Sequence, residues 1–203
     1  MTGEPTSFDE QTLNFYSAEA PVYVAGGTGG VSRFLHDFLD LLMPGSSILE
    51  LGCGGGRDSE AMLQRGFAVD PTDGSLAIAT KAEERLGRPV RVLRFDELDA
   101  VDAYDAVWAN ASLLHVPTVG LPETLSRVHR ALKPDGLHFA SYKGGGLEAR
   151  DRLGRLFNYL SADQLLAAYA ASGPWEVRDL VEYAGGGYDG GTGPWLAITV
   201  QKS

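Results

Sequence analysis

The sequence predicts an α/β domain on a mostly parallel sheet that ends in an antiparallel hairpin. Three observations carry this expectation. Short apolar runs alternate with helical stripes between Ser47 and Tyr142, the rhythm of strands joined by crossover helices. The last two apolar runs, Trp175 to Tyr183 and Trp195 to Gln201, are joined by a glycine-rich segment without helical pattern, so they pair antiparallel. Finally, 203 residues with a 44% hydrophobic and 22% charged composition suit one domain with a sizeable core.

Each element follows from local chemistry. Apolar side chains fall at Val31, Phe34, Leu35, Phe38, Leu41 and Leu42, a helical stripe that Pro44-Gly45 ends. Ser47 to Leu51 reads as a short buried strand, and Ser59 to Gln64 as a helix stopped near Gly66. Phe67 to Val69 opens a second strand running towards Asp73, and Ser75 to Leu86 is helical before Gly87. Val90 to Phe95 is a third strand and Tyr104 to Ala109 a fourth. Pro122 suits a first helical turn, and Leu121, Leu125, Val128 and Leu132 form an amphipathic stripe. Lys133-Pro134-Asp135-Gly136 has turn composition and leads into a strand from Leu137 to Tyr142. Ser161 and Gln164 have capping-box spacing ahead of a helix reaching Ala171.

Two glycine-rich segments, GGTGG (Gly26 to Gly30) and AGGGYDGGTGP (Ala184 to Pro194), punctuate the chain without a shift in composition. Residues 1–203 therefore read as one domain, with 1–30 as an N-terminal arm or lid. The net charge of −10 argues against nucleic-acid partners, whose binding depends on neutralising phosphates. Arg85, Arg88, Arg91 and Arg94 lie close in sequence and read as a solvated face. No apolar stretch approaches the roughly 20 residues that span a bilayer, and the acidic start MTGEPTSFDE does not resemble a targeting segment. A single cysteine, Cys53, makes no intramolecular disulfide or CxxC metal site. A cytoplasmic protein, monomeric or homodimeric, without metal and away from membranes is expected.

The informative stretch is ILELGCGGGRDSE, residues 48–60, where an apolar run meets four glycines in five residues. In an open parallel sheet, ligands bind beyond the carboxyl ends of the strands, and glycines there let a ligand approach the backbone. The dinucleotide fingerprint G-x-G-x-x-G fits only in part, because Arg57 or Ser59 stands where its third glycine belongs. A phosphate P-loop fails because no Gly-Lys-Ser/Thr follows. Glu50, immediately before the turn, would repel a pyrophosphate and attract a cation.

Glu50-Leu51-Gly52-Cys53-Gly54-Gly55-Gly56 resembles the E/D-x-G-x-G-x-G signature of class I S-adenosylmethionine-dependent methyltransferases. The resemblance implies a Rossmann-like seven-stranded sheet with helices on both faces, and S-adenosyl-L-methionine as cofactor. Gly52, Cys53 and Gly54 would face its amino-acid end. Asp73, followed by Gly74-Ser75, matches the acid that takes the ribose hydroxyls, with Asp70 as competitor. Ile78 would lie against the adenine, and Phe95-Asp96-Glu97 matches the place of the adenine-amino acceptor. Tyr104 to Asn110 resembles the fourth strand, which carries Asn110 and Ala111 to the cofactor, followed by Leu114-His115. Arg130 to Gly136 resembles the "LKPGG" turn, with Asp135 in place of a glycine. The chain looks closest to small-molecule methyltransferases of the tellurite-resistance and ubiquinone-biosynthesis type.

Such an enzyme needs nucleophile, methyl and sulfur in line, and a base only if the nucleophile arrives protonated. His115 is the acid/base candidate. Tyr142, Lys143 and Arg150 follow the fifth strand, where substrate-side loops are expected, and Arg150-Asp151 reads as either an anion clamp or a surface pair. Tyr188, in the glycine-rich hairpin loop, joins that side. Phe15, Tyr16 and Tyr23 precede GGTGG and either close over the cofactor or pack on the core, while Arg33 and Arg57 are candidates for its carboxylate. Cys53 has no base partner and reads as a turn residue. The competing readings are a nicotinamide-dependent oxidoreductase and a non-catalytic module that binds S-adenosylmethionine.

Overall fold

The computed structural model describes residues 7–26, 30–188 and 190–203. Thr28 and its two flanking glycines in GGTGG, like the first six residues of the expected arm, lie outside them. In chain order the helices are α1 (Glu10–Gly26), α2 (Leu35–Leu39), α3 (Arg57–Gln64), α4 (Leu76–Leu86), α5 (Leu121–Ala131) and α6 (Ala162–Ala170). The strands are β1 (Ser47–Leu51), β2 (Ala68–Asp73), β3 (Arg91–Val92), β4 (Tyr104–Ala109), β5 (Leu132–Lys143), β6 (Ala149–Arg150), β7 (Leu156–Phe157), β8 (Trp175–Gly186) and β9 (Thr192–Lys202). A seven-stranded sheet runs β3-β2-β1-β4-β5-β9-β8. The first five strands are parallel, and β9 enters antiparallel between β5 and β8. The expected α/β fold with its terminal hairpin is the fold observed.

Alternation along the central strands divides the core in two. Leu49 and Leu51 of β1, with Val107 and Ala109 of β4, face the side covered by α5 and α6. Ile48, Ala106 and Trp108 face the other side, with Met62 of α3 and Leu35, Phe38 and Leu39 of α2. Trp108 stacks on Phe139 with ring centroids 4.1 Å apart, joining β4 to β5 on that face. Glu50 alternates onto this second face at the carboxyl end of β1, where strand order reverses between β1 and β4. That reversal opens the crevice in which ligands of such sheets bind.

Three expectations are corrected. The helix expected from Val31 to Leu42 is only α2; Ser32 N donates to Asp58 Oδ1 (2.8 Å) and draws the preceding chain into a turn. The third strand pairs only at Arg91 and Val92, because Glu97 accepts from Arg94 N (2.9 Å) and closes Phe95–Glu97 into a 3₁₀ turn. The Lys133–Gly136 turn lies inside β5 as an irregularity, with Asp135 at φ 63°. The N-terminal arm is largely α1, which packs along α4 and is joined to it by Ser17 Oγ and Ser75 Oγ (2.9 Å). Pro21 lies inside α1 and lacks the amide hydrogen that the helix would use.

The hairpin β6–β7 holds α1 in place. Arg150 donates twice to Asp9 (2.9 and 2.7 Å), Asp9 accepts from Thr12 N and Oγ1, and Leu156 N donates to Thr12 Oγ1 (2.8 Å). Beneath these sits Arg155, 1% exposed, paired with Asp151 (2.7 Å) and donating to Tyr16 Oη (3.0 Å). Its guanidinium faces the rings of Phe15, Tyr16, Phe157 and Tyr188 at 5.1–5.7 Å. Removing one partner of a buried pair strands the other charge. Asp151→Asn is therefore expected to cost about 3 kcal/mol in urea unfolding and to make α1 more sensitive to limited proteolysis.

Candidate active site

β1 ends in a turn whose glycines do steric work. Gly52 has φ +77°, and a Cβ there would lie 2.6 Å from Ser112 Cβ. Its amide and that of Cys53 donate to Thr72 O (3.0 and 2.8 Å), folding the turn back on β2. Gly56, at φ +76°, is the left-handed residue that starts α3. Opposite, Ala111 takes a left-handed φ of +53° just past β4 and is held by its N–H to Ser141 Oγ (2.8 Å). Such a non-glycine conformation persists only where its surroundings enforce it.

Two cavities meet at this turn and share Tyr23, Gly52, Gly54 and Ala111. The first is mostly apolar and is lined by Leu13, Ile78, Leu93 and Phe95 with Asp73, Gly74, Tyr16, Ser112 and His115. The second is acidic and is lined by Glu50, Asp58, Cys53, Arg57, Asn110 and Tyr188.

Asp73 accepts from Gly54 N (3.1 Å) and Ser75 N (2.9 Å); burial outweighs both and pushes it up to about 6. Asp70, its competitor, pairs with Arg91 (2.7 Å) and accepts from Tyr104 Oη (2.5 Å), and lines neither cavity. Ser75 caps α4 through Ile78 N. Glu50 is 3% exposed and accepts a hydrogen bond from Ser59 Oγ. Burial pushes it up to about 8, with repulsion from Asp58 adding to the rise. Asp58 accepts from Ser32 N and from Trp108 Nε1 (2.9 Å). Asn110 is fixed by Ser32 Oγ (2.7 Å) and Ser141 Oγ (2.8 Å). Burial, then Glu50 and Asp73, push the Cys53 thiol far up, so it is no nucleophile.

His115 reaches the first cavity, but both its nitrogens are engaged. Leu156 O can only accept, so Nδ1 carries the hydrogen (2.6 Å) and Nε2 accepts from Tyr16 Oη (2.9 Å). Burial pushes its pKa down to about 4, leaving a neutral imidazole. Asn158 Nδ2 donates to Leu113 O and Val116 O, clamping the 3₁₀ turn that carries His115. Hence neither nitrogen of His115 is open to a ligand directly; Nε2 meets the cavity only through Tyr16.

Several expected residues stand elsewhere. Asp96 and Glu97 both pair with Arg94 (3.1 Å each) and line neither cavity, although Phe95 does. Arg33 lies 5.3 Å over the Tyr183 ring, away from both cavities. Tyr142 is buried in the core near Tyr169 (3.4 Å), and Lys143 Nζ sits 4.2 Å over the Phe157 ring. Arg150 pairs with Asp9, not Asp151. Tyr188 does reach the site, packing on Tyr23 with ring centroids 5.2 Å apart. Sequence reasoning missed Ser112, Asp58, Asn158 and Arg155; only Asp151 and Arg155 left a signal, an i,i+4 charge pair.

Residues 48–136 match the family model of a methyltransferase domain. A ubiquinone biosynthesis O-methyltransferase of Paramagnetospirillum magneticum is 37% identical over 98 residues, covering 46% of this chain and 39% of that protein. A second, of Azorhizobium caulinodans, is 35% identical over 118 residues, covering 55% of this chain and 46% of that protein. The chain thus spans less than half the length of these curated relatives. Among solved structures, the Burkholderia thailandensis 1,6-didemethyltoxoflavin-N1-methyltransferase, with bound 1,6-didemethyltoxoflavin and S-adenosylhomocysteine, superposes with a TM-score of 0.77. Its identity is 20%, with 95% of this chain and 88% of that chain covered. At that identity the likeness shows the fold. Residues 48–136, which run from β1 into β5 of the seven-stranded sheet, thus match a methyltransferase domain.

Proposed function

We propose that the protein transfers a methyl group from S-adenosyl-L-methionine to a small-molecule acceptor. One observation carries this: the glycine turn separates an apolar cavity holding Asp73 from an acidic one holding Glu50, Asp58 and Arg57. The first suits an adenine ring between Ile78, Leu93 and Phe95, with Asp73 accepting from ribose hydroxyls. The second suits an α-amino acid zwitterion, its ammonium towards Glu50 and its carboxylate towards Arg57. A pyrophosphate would meet two buried acids there, which disfavours a nicotinamide dinucleotide. When bound, the cofactor supplies an electrophilic methyl on a sulfonium; the protein excludes water with α1 and orients the acceptor.

The family resemblance and the methyltransferase relatives support an enzyme over a binding module. The chain spans less than half the length of the ubiquinone enzymes, so their acceptor is not assigned to it. The net charge of −10 favours a small acceptor over a nucleic acid. Among the described residues no helix is long and apolar enough to cross a membrane.

S-adenosylhomocysteine is expected to raise the melting temperature, while NADH and NADPH leave it unchanged. Asp73→Ala should remove that stabilisation with no loss of native circular dichroism. Stabilisation by a nicotinamide alone would overturn the assignment.

Glu50 yields a pH prediction. Its carboxyl lies at about 8 in the folded chain against an ordinary 4.5, so between those values the native state binds the extra proton. Stability from this group is therefore lost as pH rises through that window. The melting temperature of wild type minus that of Glu50→Gln should fall from pH 5 to pH 8. The ammonium of a bound α-amino acid drives the proton off, so calorimetry of S-adenosylhomocysteine near pH 7 in two buffers should detect proton release that Glu50→Gln abolishes.

A further inference from the structure

Above the glycine turn, the first cavity carries two polar atoms that holding the cofactor leaves unused. Ser112 is 8% exposed and its Oγ has no hydrogen-bond partner among the described residues. It lines the cavity against Gly52, where the turn and the end of β4 come closest. Tyr16 lines the same cavity. A phenol has one hydrogen to donate and two positions at which to accept. Tyr16 donates to His115 Nε2 and accepts from Arg155 Nη1, so one accepting position remains.

Resting on the cofactor assignment above, we propose that Tyr16 and Ser112 bind the nucleophilic hydroxyl of the methyl acceptor. Tyr16 is the catalytic residue of this pair; His115 acts behind it as acceptor of the relayed proton, and Arg155 is a positioning residue. The bonding capacities match. A hydroxyl donates its hydrogen to Tyr16 Oη, accepts from Ser112 Oγ with one lone pair, and keeps the other for the methyl carbon. A tertiary amine or thioether has no hydrogen for Tyr16. An aliphatic amine enters protonated, and the neutral His115 beside Arg155 is too weak a base to free its lone pair. A hydroxyl needs no prior deprotonation, because its acidity rises steeply as the new bond forms.

The step balances. The hydroxyl oxygen bonds to the methyl carbon as the carbon–sulfur bond breaks, and that electron pair returns to sulfur, leaving neutral S-adenosylhomocysteine. The oxygen's proton passes to Tyr16 Oη while the Tyr16 proton moves to His115 Nε2. The imidazolium, disfavoured by burial, loses the proton to solvent as product leaves. Methyl ether, S-adenosylhomocysteine and one proton result.

The test uses the full chain, with catechol as hydroxyl probe and benzylamine as amine probe. Calorimetry first measures S-adenosylhomocysteine binding, then catechol binding to the S-adenosylhomocysteine-saturated protein. Wild type should bind catechol and transfer labelled methyl to it, but not to benzylamine. Tyr16→Phe and Ser112→Ala should each weaken catechol binding about tenfold, the loss of one hydrogen bond, with S-adenosylhomocysteine affinity unchanged. Tyr16→Phe should also lower kcat by at least about 100-fold. His115→Gln, whose amide oxygen accepts from Tyr16, should retain more kcat than His115→Ala, and ¹⁵N spectra should show His115 as the neutral Nδ1–H tautomer. Failure of wild type to bind S-adenosylhomocysteine overturns the cofactor assignment and this inference with it. With that binding intact, any one of three results overturns the inference alone: no catechol binding, Tyr16→Phe with wild-type kcat, or Ser112→Ala that weakens S-adenosylhomocysteine instead.

Discussion

The absence of a Cβ at position 52 is the constraint on which the site depends. A side chain there would lie 2.6 Å from Ser112 Cβ, so the end of β1 and the chain leaving β4 approach only because Gly52 is bare. Beside that approach Ala111 takes its left-handed kink, held by Ser141, and Ser112 lines the cavity. The 3₁₀ turn bearing His115 follows at once, and Asn158 clamps it to β7. From His115 the contacts run to Tyr16 and Arg155, and so to α1 and the β6–β7 hairpin. One steric allowance thus links the cofactor turn to the cover of the site.

Electrostatics separates the two halves of the crevice. Glu50 at the end of β1 and Asp58 in the first turn of α3 line one cavity, and Asp73 ends the neighbouring strand. Two of these acids sit above the usual carboxylate range because burial penalises their charge before a ligand arrives. A cation offered to this cluster relieves that penalty, whereas an anion aggravates it. On the far side, Arg155 and Asp151 neutralise one another beneath the rings of α1, leaving the polarity of that side to hydroxyl groups.

Much of this was legible in one dimension because it is local. Strand β4 and helix α4 begin and end nearly where turn and cap chemistry place them, and Ser161 makes the capping box its spacing announces. The glycine turn and Asp73 were readable for the same reason, since each needs one residue type at one position. α1 was hidden because its rings serve a cavity instead of forming an apolar stripe. Arg150 and Asp151 looked like a pair because they are adjacent, yet each prefers a partner that only folding supplies.

The sequence by itself determined the parallel sheet with its terminal hairpin, the glycine turn after β1, and the acids beside that turn. These are set by periodicity, by φ angles open chiefly to glycine, and by the sign of a charge. Only the tertiary structure decided that Asp70 is spent on Arg91, that His115 is neutral with both nitrogens engaged, and that Tyr16 and Ser112 face one cavity. Such facts depend on burial and on partners dozens of residues away, as with Tyr16 and His115, and chain order records neither.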